Sequence, residues 1–425
     1  MDVRGIEIWL AEALAAFSHR GDIVAIVPVG HGAAACVVND EGLCLASLDY
    51  EAEPPAELRA RYHAMRDPFA VTGSPRLPAG LNLGIQLLRL ETSAPEKFAG
   101  GSIVTWPQYW AWRLSGVPAT EISSLGCHTD LWVPAEGRPS PMATARGWAD
   151  RLAPLRLAAD VLGTVNDEWR QRCKLPPDCA VLCGLHDSNA ALLAARGYLE
   201  IGDRECTVLS TGTWFVAMRS VTEHTKVDLA SLPESRDCLV NVDVKGVPVP
   251  SARFMGGREV ELIELAASSP LDTKSQEDLL LHTAETMVKN GAFVLPTFQS
   301  GVGPFPKSVG HWIERPTDQI GRRALAGLYL ALVANVSLEL IGSKGPVVIE
   351  GRFADDPVFT GALAAMQKQP VFLSDAQNSV AYGALRLIDS DLPVQAKLTR
   401  TKPLECAFAG YADCWMSMTQ SAEAA

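Results

Sequence analysis

Apolar residues follow two rhythms along this chain. Short unbroken runs bounded by glycine or proline read as buried strands, and longer stretches with helical spacing read as helices. From Met1 to Arg20, the residues Ile6, Trp9, Leu10, Ala13, Leu14 and Phe17 share one helical face, and Gly21 ends the pattern. The run IVAIVPVG, residues 23–30, predicts one buried strand. HGAAACVVNDEGLCLASLDYE predicts more strand, with a tight hairpin turn at NDEG. Residues 52–84 are rich in Pro and Gly and predict a long surface excursion. SIVTWPQYWAWRLSG reads as a strand end followed by a helix, and residues 133–160 as loop and short helix.

The stretch VLCGLHDSNAALLAA, residues 181–195, runs from an apolar strand into an alanine-rich helix through His186, Asp187, Ser188 and Asn189. CTVLSTGTWFVAMRS predicts a hairpin turning at Thr211, Gly212 and Thr213. FMGGREVELIELAA predicts a glycine turn opening a helix, and RRALAGLYLALVANVSLELIG a long helix. PVVIEG, DPVFTGALAAMQ, PVFLS and SVAYGALRLI continue the alternation of strand and helix to near the C-terminus. Alternation in both halves indicates an α/β protein. The best break follows the helix ending near Arg196, giving domains of 1–196 and 197–425.

Composition narrows the partners. The chain has 425 residues, enough for two cores, with 48% hydrophobic and 20% charged. A net charge of -12 without basic runs argues against nucleic acid and against anionic membrane, both of which are bound through Lys and Arg. The ten cysteines include no CxxC pair, and several sit in apolar runs, so buried reduced thiols are expected. Cys173, Cys179 and Cys183 fit no zinc spacing, and no metal ligands are assigned in the protein. No basic lead and apolar core mark a signal peptide, and the most apolar helix carries Asn335, Ser337 and Glu339, as a core helix does. A cytoplasmic protein with no membrane contact is the expectation.

There is no GxxxxGK[ST], HExxH or GxSxG. GHGAAA mimics a dinucleotide fingerprint through Gly30, Gly32 and Ala35, yet CVVND after it reads as strand where that fingerprint needs a helix. The STGTW turn is either a plain hairpin or a cradle of amides and hydroxyls for phosphate. Gly351, closing the strand VVIEG, is either an ordinary left-handed turn or the edge of a nucleotide site. Asp187 either caps the helix it begins or serves as a general base.

Taken in order, VGHG, GLHDSNAA, STGTW, MGGRE, EGRFADDP and AYGAL resemble the FGGY carbohydrate kinases, on the rhamnulokinase and fuculokinase side of that family. The resemblance covers nearly the whole chain. It implies a two-domain actin-like ATPase (ribonuclease H-like) fold with an interdomain cleft. It also implies ATP with Mg²⁺ as cofactors and a ketose or deoxyketose, such as L-rhamnulose or L-fuculose, as the small-molecule acceptor. Asp187 matches the catalytic base. His186, Ser188 and His31 match sugar-contacting positions, and Asp49 an acidic position after the inserted strands. Thr211, Gly212, Thr213, Gly256 and Gly351 match the ATP site. A homodimer is left open.

The chain also departs from the pattern. Arg253 stands where rhamnulokinases have an asparagine, and EGRFA has one glycine where many members have more. The family begins with a phosphate-binding hairpin carrying a DxGT-like motif, and this sequence begins at the helix after it. An incomplete first-domain sheet, with residues 23–30 near an open edge, is therefore expected. The alternative is a non-catalytic paralogue that binds sugar or nucleotide without turnover.

Overall fold

The computed structural model describes residues 1–264, 276–375, 378–392, 397–406 and 408–424. Helix α1 (Val3–Ser18) opens where the Asp2 carboxylate accepts from the Gly5 amide at 2.9 Å. Val3, Ala11 and Leu14 are its buried residues, and Trp9 and Phe17 are 65% and 56% exposed. The buried face is thus rotated from the expected one. The line through Val3 and Leu14 meets Trp106, Tyr109, Ala111 and Trp169, while the large side chains at 9 and 17 point away from them.

Residues 23–30 do not form one buried strand. They form two half-buried pieces, β1 (Ala25–Ile26) and β2 (Val29–Gly30), split at Val27 and Pro28. Proline has no amide hydrogen to continue a ladder. The hairpin of β3 (Ala35–Asn39) and β4 (Gly42–Leu45) turns as expected, and Asn39 Oδ1 accepts from the Glu41 and Gly42 amides. Strand follows GHGAAA, which removes the dinucleotide reading.

The expected surface excursion at 52–84 is corrected in part by the structure. Helix α2 (Ala56–Met65) and the start of α3 (Leu83–Ser93) lie there, and Tyr62, Thr72, Ser74, Leu77, Asn82 and Leu83 are buried. Buried polar bonding holds the segment in. Tyr62 donates its hydroxyl to Asp130, and Arg66 donates to Asp130 at 2.6 Å and to the Ser74 carbonyl at 2.7 Å. Residues 52–61 stay largely at the surface as expected, while from Thr72 on the prolines and glycines bend a packed segment.

After β5 (Ser102–Thr105), helix α4 (Trp106–Ser115), β6 (Val161–Thr164), β7 (Ala180–Leu182) and β8 (Leu185–His186), the helix α5 (Asp187–Ala195) begins. The ladders run in the orders β1-β7-β6 and β4-β3-β5, with β2 and β8 as a parallel pair. β1 lies at the edge of its sheet, and Val24 beside it is 72% exposed. Gly184, at φ +77°, turns the chain between β7 and β8 against the Pro28 carbonyl, where a β-carbon would collide. Gly184→Ala should therefore push β8 from β2 and cost about 1–3 kcal/mol. Thermal unfolding reads this as a lowered Tm, and an unchanged Tm would contradict it.

The second half builds one seven-stranded sheet. Its strands are β9 (Cys206–Thr211), β10 (Phe215–Ser220), β11 (Cys238–Val242), β12 (Pro248–Phe254), β13 (Val347–Gly351), β14 (Val371–Ser374) and β15 (Leu398–Arg400). The order is β11-β12-β10-β9-β13-β14-β15, with β9, β13 and β14 parallel at its centre. The helices of this half include α6 (Gly256–Glu264), α7 (Gln319–Leu340), α8 (Pro357–Met366) and α9 (Ser379–Ile388), with further helices at Glu277–Asn290 and Phe408–Ala424. The part of the expected GGREVELIELAA helix beyond Glu264 lies outside the described residues. α7 is long and apolar enough to cross a membrane, and most of it is buried inside the protein as a core helix. α5 links the halves: it follows β8 directly, Gly383 of α9 sits against the Ala190 carbonyl, and Leu192 and Ala195 pack on Val208 and Met218.

Candidate active site

Two clusters of polar residues sit at the ends of the two sheet systems. The first surrounds Asp187. β8 delivers His186 into the core at 5% exposure, its amide donating to Ser123 Oγ at 3.2 Å. Asp187 is the first residue of α5 and is half-buried. Its Oδ1 accepts from the Ser188 amide at 2.6 Å and the Ser188 hydroxyl at 3.3 Å, and lies 3.3 Å from His186 Nε2. Oδ2 has no partner among the described residues. A carboxylate anchored by one oxygen and open at the other can receive a proton without reorganising, which suits a general base.

His31 completes this cluster. Its ring lies 5.1 Å from that of Tyr50, edge-on, and stacks on Trp106 at 6.2 Å. Its Nδ1 is buried without a hydrogen-bond partner. Burial holds the His31 imidazole below the ordinary histidine range, opposed by the charge of Asp187. Asp49 is exposed in the turn before Tyr50, where its carboxylate accepts from the Glu51 amide at 3.0 Å.

The sequence reading missed Cys127 and His128 in this cluster. Cys127 Sγ is 3.2 Å from His186 Nε2, and a β-carbon on Gly32 would come within 2.7 Å of that sulfur. Burial pushes the Cys127 thiol well up, so it is not a nucleophile. His128 donates through Nδ1 to the Leu81 carbonyl, 2.8 Å away. Burial, with His186 and Arg253, lowers it to about 4. A hint lay in SSLGCHTD, a run of small and polar residues without strand or helix period.

Both His128 and His186 are thus held neutral when folded, and below the unfolded value of about 6.5 only the unfolded chain gains their protons. Stability from these rings is full above that value and is lost as pH falls toward about 4 for His128. We expect Tm to decline below pH ~6.5 and His128→Gln to flatten that decline. Equal slopes in both proteins would remove the assignment.

The second cluster is the turn after β9. Thr211 pairs with Gly351 across the parallel ladder of β9 and β13. The Thr211 hydroxyl donates to the Glu350 carbonyl at 2.6 Å and accepts from the Phe353 amide at 3.0 Å. It fastens the Gly351 turn, leaving Thr213, exposed at the tip, as the threonine free to meet a ligand. Gly257 packs against the Gly212 carbonyl, and Gly256 is buried against the Phe215 ring. The structure therefore brings Thr211, Gly212, Thr213 and Gly351 together, with Gly257 touching the turn and Gly256 behind it.

Arg253 stands between the clusters. Its guanidinium lies 4.8 Å from the Trp214 ring centre, and Nε donates to Asp237 at 2.8 Å. Its charge acts on both Cys127 and His128. An arginine fixed by a carboxylate and an aromatic face offers its remaining donors in a set direction.

Comparison with known proteins adds to this geometry. Residues 203–397 match the model of the C-terminal domain of the FGGY carbohydrate kinases. The chain is similar to a carbohydrate kinase from Novosphingobium aromaticivorans, with 48% identity, a TM-score of 0.95, and coverage of 99% of this chain and 91% of that one. It shares its fold with xylulose kinase from Rhodospirillum rubrum, at 18% identity and a TM-score of 0.70, covering 94% and 83% of the two chains. Gluconate kinase from Lactobacillus acidophilus shares the fold at 13% identity and a TM-score of 0.76, covering 97% and 87%. Among curated proteins none matches the sequence.

Proposed function

The chain belongs to the FGGY carbohydrate kinase family, and on that premise we propose that it phosphorylates a ketose or deoxyketose such as L-rhamnulose or L-fuculose, with ATP as donor and Asp187 as general base. The observation that carries the reading is the Asp187 carboxylate, held through Oδ1 and without a partner at Oδ2 among the described residues, whose charge acts on the His31 ring. A sugar hydroxyl gives its proton to Oδ2 while its oxygen bonds to the γ-phosphorus. The bond from that phosphorus to the β–γ bridging oxygen breaks, and ADP leaves with the electron pair. His31, His186 and Ser188 are assigned to the sugar, and Asp49 and Arg253 to the rim of its pocket. Thr213, Gly212 and the Gly351 turn are assigned to the nucleotide.

Among the described residues no group of three or more His, Cys, Asp or Glu side chains is arranged to hold a metal ion. Mg²⁺ is assigned to the phosphates of ATP with its own waters, a common mode for this ion. Bound there, the ion would neutralise charge on the phosphate oxygens. The division at 1–196 and 197–425 is supported by the ladders, since strands through His186 pair among themselves and those from Cys206 do likewise.

The test is ADP release by the purified chain with ATP and Mg²⁺, across L-rhamnulose, L-fuculose, D-xylulose, gluconate and glycerol. Turnover on a ketose at about 1–10³ s⁻¹ supports the reading. Saturable sugar binding without ADP release on any of them would favour the non-catalytic alternative.

A further inference from the structure

We propose that Glu121 is a positioning residue for the acceptor side of the site: its carboxylate turns the Ser123 hydroxyl so that the hydroxyl holds the His186 amide, and with it the start of α5 at Asp187. Glu121, Ser123 and Ser124 are fully buried. Glu121 Oε1 accepts from the Ser123 amide at 2.9 Å. Oε2 accepts from the Ser124 amide at 3.0 Å, the Ser123 hydroxyl at 2.7 Å and the Ser124 hydroxyl at 3.2 Å. A hydroxyl has one proton and two lone pairs. With its proton committed to Oε2, Ser123 Oγ accepts from the His186 amide at 3.2 Å. His186 is the N-cap residue of α5, and Asp187 is the next. Glu121 also caps the short helix Ile122–Leu125, and two residues past that helix Cys127 Sγ lies 3.2 Å from the His186 ring. One carboxylate thus sets both the segment that carries the base and the segment that faces it.

Backbone groups fix the direction of these bonds. Each oxygen of Glu121 meets a main-chain N–H, which only donates, and an ionised carboxylate only accepts. A glutamine amide in either orientation would set its NH₂ against one of those N–H groups. A protonated carboxyl would have to take a lone pair from a serine hydroxyl. If that hydroxyl were Ser123, its own proton would lose its acceptor in a buried site, which is costly. Burial pushes the Glu121 carboxyl up to about 7, against the pull of its bonds from Ser123 and Ser124, so the carboxylate is the form present above that pH. Arg156 stands opposite Glu121 in the short ladder of these strands. The Cys183 thiol is pushed up by burial and then by Glu121 and Asp160, with Arg156 opposing. Among the described residues none of these groups bonds to the Glu121 carboxylate, which the two serines hold. The proposal rests on Asp187 being the base, while the link from Glu121 to His186 can be read without turnover.

The experiment reads the His186 amide by ¹H–¹⁵N spectroscopy on protein labelled at its eight histidines, the peak being assigned by its loss in His186→Gln. Glu121→Gln should move this peak in the folded protein, and Ser123→Ala should move it too. In the double variant the move should be no larger than the greater of the two. An unmoved peak in either single variant, or a move equal to the sum of both, overturns the link. Each single variant should also lower kcat for sugar phosphorylation about 10–100-fold with KM for ATP unchanged, the range for losing a partner behind a reactive group. A moved peak with unchanged kcat overturns the positioning role. The wild-type kcat should rise with pH through about 7, and Glu121→Gln should lose that limb. The same limb in the variant would show that the carboxylate is not what positions the site. Should Glu121→Gln not fold, Ser123→Ala decides through its peak and its kcat. A wild type without turnover would count against the sugar kinase reading, and the amide peaks would still decide the link.

Discussion

Asp187→Asn should lower sugar phosphorylation by about 10²–10⁴-fold while leaving ATP binding nearly intact. That loss corresponds to about 3–5 kcal/mol of transition-state stabilisation. The amide matches the carboxylate in size, so the Ser188 amide can still donate to its oxygen. What disappears is the basic oxygen that the chain leaves open. The nucleotide turn lies on β9 and β13 and does not bond to Asp187, so affinity for ATP should survive. Steady-state kinetics and ATP titration on the same preparation separate the two effects. Full activity in the variant would remove Asp187 from the chemistry.

Gly351→Ala should strike the other half of the site. Gly351 has φ +90°, in the left-handed region, and a β-carbon there would collide with the Thr211 carbonyl oxygen. That oxygen also accepts from the Arg352 amide at 2.8 Å. The backbone term alone costs about 1–3 kcal/mol. The clash must open the ladder between two central parallel strands at the end that carries Thr213. We expect a lower Tm together with at least a roughly tenfold rise in KM for ATP, a loss of about 1.4 kcal/mol. Wild-type values for both would show that the Gly351 turn neither braces the sheet nor meets the nucleotide.

The sequence made the second half the easier part to read. CTVLSTGTWFVAM and PVVIEG are apolar runs closed by turn residues, and both became neighbouring strands of one sheet. His186 and Asp187 were visible because polar residues interrupted an apolar strand where it met a helix. Their partner Cys127 was not, because its place in the site depends on Gly32 leaving room for the sulfur, a contact between distant parts of the chain. Residues 52–84 were partly misread for a related reason. Proline and glycine report that a chain bends, while burial of the bend depends on Asp130 meeting Tyr62 and Arg66. Apolar character at 23–30 likewise did not reveal how Pro28 divides the ladder. Nor could sequence tell that the Thr211 hydroxyl is consumed by backbone, leaving Thr213 as the free one.

Helix α5 is seated in both halves of the molecule. His186, directly before its first turn, is tied to Ser123 in the half that holds His31, and the helix body is gripped by α9 through a glycine with no room for a side chain. A shaft seated in both bodies permits rotation about itself far more readily than sliding. Asp187, near the pivot, would keep its place beside His31 during such a rotation, while Thr213, out on its turn, would travel through the larger arc. Structures with sugar alone and with sugar plus a nucleotide analogue should then differ in the reach from Thr213 to Asp187 and agree in the spacing of Asp187 and His31. The reverse pattern would mean that the acceptor side does the moving.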